Sequence, residues 1–162
     1  MGATADASNV TDASDAADAV VWPPAHTGFI AELTTDVCFG DCPVYTVRVR
    51  WDGAFVLTLK SPRKGCITGT APLDKVGKIE ALARSANYLT MKAVYETTQH
   101  DRRWITTAIT DTGKTHSVRR WGYKEGDAAY ANLVAIENAI EDATSSSKLS
   151  ESGALVACPS GK

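Results

Sequence analysis

Residues 44–50, VYTVRVR, alternate apolar and polar side chains with β-branched residues at period two, and they predict a strand. GFIAELTT at 28–35 alternates more loosely and predicts the strand before it; AFVLTLK at 54–60 predicts the strand after it. Between the last two lies Trp51-Asp52-Gly53. Read as a three-residue loop with Gly53 left-handed, it sets Val49 opposite Phe55, Val47 opposite Leu57 and Tyr45 opposite Leu59, all on one face. Arg48 then faces Val56, and Thr46 faces Thr58, on the other. A two-residue loop pairs Val47 with Thr58 and Arg48 with Leu57, which mixes the faces. Because a slip of one residue inverts every side chain, burial selects the first register.

SPRKGCITGTA at 61–71 is rich in Gly and Pro and predicts a loop. Leu73, Val76, Ile79, Leu82, Ala83 and Ala86 then recur at spacings of three and four, the stripe of an amphipathic helix. Thr70 is placed to cap it, and Pro72 is tolerated in its first turn. RWITTAIT at 103–110 predicts another strand, Asp111-Thr112-Gly113 a tight turn, and KTHSVRRW at 114–121 the returning strand. Asp127 caps a final helix running to about Ala143, with Ala129, Leu133, Ile136 and Ile140 on one stripe. SSSKLSESG reads as a flexible exit, and ALVACPSGK, which ends the chain, is apolar enough to dock. The expected fold is therefore α+β: a two-layer sandwich of a mainly antiparallel five-stranded sheet with two helices on one face, in the order βββαββα. Its uncovered face carries Thr46, Arg48, Arg50 and Thr58. The expected division is an acidic leader or tether at 1–27, one domain at 28–143, and a tail at 144–162 that Cys158 pins.

Composition narrows the function more than the fold. With 162 residues the chain is long enough for one buried core. Its 17 basic residues against 19 acidic argue against a nucleic-acid module, and no apolar run approaches the roughly 18 residues that cross a bilayer. MGATADASNVTDASDAADAV, the first 20 residues, lacks basic and aromatic side chains and does not read as a signal peptide. It suits a spacer between a membrane anchor, already removed, and a folded head. Four cysteines, Cys38, Cys42, Cys66 and Cys158, are compatible with two disulfides in an oxidising compartment. The plainer alternative is four unrelated thiols in the cytosol.

CFGDCPVY at 38–45, with Asp52-Gly53 following, resembles the bacterial domain family DUF6438, whose members read roughly CFGxCPxYxxxIxxDGxVxYxG. The resemblance continues through the amphipathic helix, Tyr95, Asp101, the DTGK turn at 111–114 and ANLVAIENAIEDA, and covers about 29–143. It implies an exported protein, often a lipoprotein, with no established activity and so no catalytic residues to carry over. Cys66 and Cys158 are additional to the family's cysteine pair, which implies that they partner each other.

The residues leave three readings of the first pair open. A redox site of thioredoxin type needs two residues between its cysteines and a following helix; here there are three residues and a strand. A zinc site assembled from Cys38, Cys42 and Cys66 with His100 or His116 has no finger spacing. A Cys38–Cys42 staple would present Phe39, Gly40 and Asp41 rigidly, with Pro43 opening the next strand. His100-Asp101 could pair as base and orienter but has no nucleophile tied to it, and His26 falls in the leader. Trp104 and Trp121 can meet across the second hairpin, whereas Trp51 sits at a turn. An exposed Trp51 with Arg48, Arg50, Phe39 and Asp41 has the composition of an interface hot spot; alternatively Trp51 folds over the core edge. Arg102, Arg103, Arg119 and Arg120 form a second basic group that balances the leader or engages an acidic partner.

These features lead to an expected non-catalytic, periplasmic or secreted protein-binding module without a cofactor. One specific form is an inhibitor or immunity protein neutralising a toxin that acts on the cell wall. The alternatives are a thiol-redox or metal-dependent enzyme using Cys38 and Cys42, and a self-associating structural protein of the envelope.

Overall fold

The register expected for the first hairpin is the one observed. In a computed structural model describing residues 23–38, 40, 42–96, 103–122 and 126–159, β2 (Val44–Arg50) pairs with β3 (Ala54–Ser61) through Val49↔Phe55, Val47↔Leu57 and Tyr45↔Leu59. Gly53 has φ +84°, and a Cβ there would lie 2.5 Å from the Ala71 carbonyl oxygen; both facts demand glycine. β1 (Ile30–Thr35) lies on the other side of β2 and also pairs, antiparallel, with β6 (Trp104–Asp111). β6 turns back into β7 (Lys114–Trp121) through Thr112 and Gly113, both at positive φ, the two-residue turn that suits strand twist.

Among the described residues, the expectation of five antiparallel strands and two helices is corrected to a seven-stranded mixed sheet with three helices; with β4 (Gly65–Thr70) and β5 (Val94–Tyr95) the strand order is β4-β3-β2-β1-β6-β7-β5. The α+β class stands. The supposed loop at 61–71 contains β4 (Gly65–Thr70), paired with β3 from Leu59↔Gly65 to Ala54↔Thr70. Its glycines, which read as loop signals, make room: a Cβ on Gly69 would sit 2.5 Å from the Phe55 ring. β5 (Val94–Tyr95) is two residues long, too short for any periodic signal, and pairs parallel with β7. The expected flexible exit contains α3 (Ser146–Ser152), entered through Ser145 at φ 51° and packed against the core through Leu149. Arg63 holds that segment by donating to the carbonyls of Ser150 (3.3 Å) and Gly153 (2.6 Å).

α1 (Leu73–Ser85) starts after Pro72 with no side-chain cap, because Thr70 is used in β4. Its Leu73 is exposed. α2 (Ala128–Thr144) is capped as expected: the Asp127 carboxylate accepts from the amides of Ala129 and Tyr130. Val76, Ile79 and Ala83 of α1 and Leu133, Ile136 and Ile140 of α2 join the inward residues of the sheet, among them Tyr45, Val47, Leu57, Ile109 and Val118, in one core. Ahead of β1, Ala25 is buried in that core, and His26 Nδ1 lies 2.5 Å from Glu80 Oε1.

Candidate functional site

The helices leave one face of the sheet open, and the stapled turn lies at one end of it. β1 ends at Thr35, whose hydroxyl donates to the Pro43 carbonyl (3.0 Å) across the turn. Cys38 and Cys42 are disulfide-bonded with their Cα atoms 5.9 Å apart, and Gly40 between them has φ +133°. Phe39 and Asp41 lie outside the described residues. The Asp36 amide donates to the Trp104 carbonyl (3.0 Å), which brings the turn against β6.

Beside that turn the outer face is aromatic. Trp104 and Trp121 are opposite each other in the β6–β7 ladder, and their rings stack with centroids 5.6 Å apart. The Arg119 guanidinium lies 4.1 Å from the Trp104 ring centroid and 3.5 Å from Asp36 Oδ2. Val94, 49% exposed, pairs with Arg119, and Val37, 68% exposed, follows Asp36 in the chain. Trp and Arg packed on one another are the usual makings of an interface hot spot.

The group expected from sequence is more dispersed. Trp51 is 36% exposed but sits at the opposite end of β2 from the stapled turn. The seven residues of that strand separate them by roughly 20 Å at about 3.3 Å per residue. Arg50 donates through Nε to Asp52 Oδ1 (3.2 Å), and this bond holds the exposed Asp52 carboxyl below the usual carboxylate range. Arg48 lies between, exposed on the outer face.

Sequence reasoning placed Thr46 opposite Thr58 on the open face and missed the rest of the hydroxyl row and the groove beside it. Thr58, Thr46, Thr34 and Thr106 stand side by side on β3, β2, β1 and β6. The two middle hydroxyls bond each other at 2.9 Å. The tail passes the free edge of β4, with Val156 and Cys66 exchanging backbone hydrogen bonds of 3.2 and 2.7 Å, and the Cys66–Cys158 disulfide returns it to the outer face. Between bridge and sheet is a groove of about 250 Å³. The alternation of threonines at outward positions was visible in each strand, but the neighbours of β1 were not.

The other face buries charge. Arg120, expected to share a basic surface group with Arg119, points inward and meets Glu137 of α2, with Nε 2.9 and 2.7 Å from its two oxygens. Burial works against the Arg120 charge, and the carboxylate restores it and raises it further. Burial pushes the Glu137 carboxyl up, while Arg120 pulls the other way. Arg103 and Glu141 line a cavity of about 270 Å³ beside this pair. His100, Asp101 and Arg102 lie outside the described residues, and His116 Nε2 lies 2.9 Å from the Met91 carbonyl oxygen. All four cysteines are paired, so the thiolates that a zinc set would draw on are consumed. The Cys38–Cys42 pair leads into a strand.

Two buried tyrosines give a pH prediction. Burial raises the Tyr45 phenol far above its ordinary value, and its hydrogen bond to Glu141 adds to this; burial does the same for Tyr88, whose hydroxyl donates to the Thr107 carbonyl (2.6 Å). Both stay neutral in the fold while unfolded tyrosines ionise near pH ~10. Stability is therefore complete below that pH and falls as pH rises above it. Tyrosinate absorbance, compared with that of Tyr45→Phe and Tyr88→Phe, should show these two phenols ionising only on unfolding. Ionisation of Tyr45 or Tyr88 in the folded protein near pH ~10 contradicts this.

The model of a domain of unknown function, DUF6438, matches residues 30–144. The chain belongs to this family. The match coincides with the span from β1 to the end of α2, so α3, the tail and the Cys66–Cys158 bridge add a Cys158 anchor beyond the DUF6438 domain. The stapled turn, the tryptophan stack and the buried Arg120–Glu137 pair all fall inside it. No curated protein matches the chain.

Proposed function

We propose that this DUF6438 protein is a non-catalytic, exported protein-binding module that engages its partner through the Trp104–Trp121–Arg119 patch. The observation that carries this reading is the stack itself. Two indoles stack in register on an open sheet face with a guanidinium over one of them, beside a disulfide-stapled turn, and Val37 and Val94 are exposed close by in the chain. Stiff backbone beneath large rigid side chains lowers the ordering cost of association. The two disulfides support an oxidising compartment. Among the described residues no helix is long and apolar enough to cross a membrane.

The partner it suits presents carboxylates to Arg119 and an apolar surface to the valines. A small stapled head of this kind fits an inhibitor or immunity protein that plugs an envelope-acting toxin. The test is affinity capture from an envelope extract, followed by titration of the recovered partner. Trp104→Ala should weaken binding by about 2 kcal/mol or more, roughly thirty-fold, and Arg119→Glu should weaken it with the melting curve unchanged. Full affinity in both variants, or recovery of no partner, overturns the reading.

A further inference from the structure

We propose that the groove under the Cys66–Cys158 bridge binds a single neutral sugar residue. Glu32 and Arg48 are register partners on β1 and β2, with side chains on the outer face. Opposite charges so placed normally pair, since directly opposed Cβ atoms lie within about 4.5–5.5 Å. Here they do not: among the described residues neither side chain makes an ion pair or hydrogen bond, with the other or with a third residue. Both line the groove.

The charges cancel, so the groove attracts neither an anion nor a cation strongly. What it offers is a planar fork of donors from Arg48 and a pair of acceptor oxygens from Glu32. A vicinal diol matches both at once, because each of its hydroxyls donates and accepts. Thr46 and Thr58 add hydroxyls from the next outward row of the sheet. Val56, the disulfide sulfurs and Pro159 supply apolar wall for the C–H faces of a ring. The volume, about 250 Å³, is below the ~300–1,000 Å³ of drug-sized pockets and limits the occupant to one ring. Cys158 and Pro159 belong to the tail, so the wall exists only while the bridge is closed.

The test is ligand-observed NMR on the oxidised full chain, titrated with D-glucose and, separately, with zwitterionic diglycine. Glucose should saturate in the millimolar range, the strength open to a ligand this small. Arg48→Ala and Glu32→Gln should each weaken it by about ten-fold or more. Lys60→Ala, on the same face outside the groove, should leave it unchanged. Opening the bridge with dithiothreitol should weaken it as well, and melting curves confirm that the surface variants remain folded. No saturation with glucose, insensitivity to both groove variants, or tighter binding of diglycine overturns the proposal. None of these outcomes bears on the tryptophan patch, which is probed by its own variants.

Discussion

Arg120→Ala should lower the unfolding free energy by about 3–5 kcal/mol, the usual cost of removing one partner from a buried ion pair. The side chains of Arg120 and Glu137 are only 15% and 4% exposed. Arg120 also donates to the Gly122 carbonyl (2.9 Å) and to the Tyr130 hydroxyl (3.0 Å), so it ties β7 to both ends of the turn into α2. Without it the Thr107 hydroxyl, at 3.2 Å, is the hydrogen-bond donor that Glu137 keeps among the described residues. A desolvated carboxylate then takes up a proton, and its folded pKa rises well above the unfolded ~4.3. The sign follows. The variant's deficit is smallest near pH ~4 and grows as pH rises. Arg120→Met combined with Glu137→Leu, which removes both charges and keeps volume, should recover most of the loss. Urea melts at two pH values measure all of this. A cost under about 1 kcal/mol for Arg120→Ala would mean that the neighbouring cavity admits enough water to solvate Glu137.

Opening the Cys66–Cys158 bridge should destabilise by about 4–5 kcal/mol in the chain-entropy model, because it closes a separation of 92 residues. The Cys38–Cys42 bridge spans four, and the same model assigns it about 2 kcal/mol. The paired variant Cys66→Ser, Cys158→Ser should therefore melt more than about 10 °C below the parent, and Cys38→Ser, Cys42→Ser should melt much closer to it. Losing the long bridge also frees the tail from β4 and exposes that edge strand to pairing with other chains. Aggregation on reduction should accordingly follow Cys66 and Cys158. Equal shifts for the two paired variants would show that the tail is held by something other than its sulfur.

The division of labour between the two bridges matters for recognition. The short one contributes little chain entropy and fixes the shape of the turn beside Trp104. The long one ties the end of the chain to the middle of the domain. A single head can thus present an aromatic patch and a hydroxyl-lined groove on one open sheet face.

Much of this was legible along the chain. Alternation at 44–60 and the left-handed Gly53 determined the first hairpin and its register, since turn geometry and a two-residue period are local properties. The Asp127 cap and the meeting of Trp104 with Trp121 were local in the same sense. The tertiary structure alone decided which distant strands became neighbours. β1 pairs with β6 about 70–80 residues away, β4 forms from a stretch whose glycines mimic a loop, and two residues at 94–95 add a parallel edge. It also separated Arg119 from Arg120, sending one to the tryptophans and the other into the core. Periodicity states which side chains share a face, but only burial of the whole chain selects which face turns inward and which strand lies beside it. The surfaces proposed for recognition are built from those long-range choices.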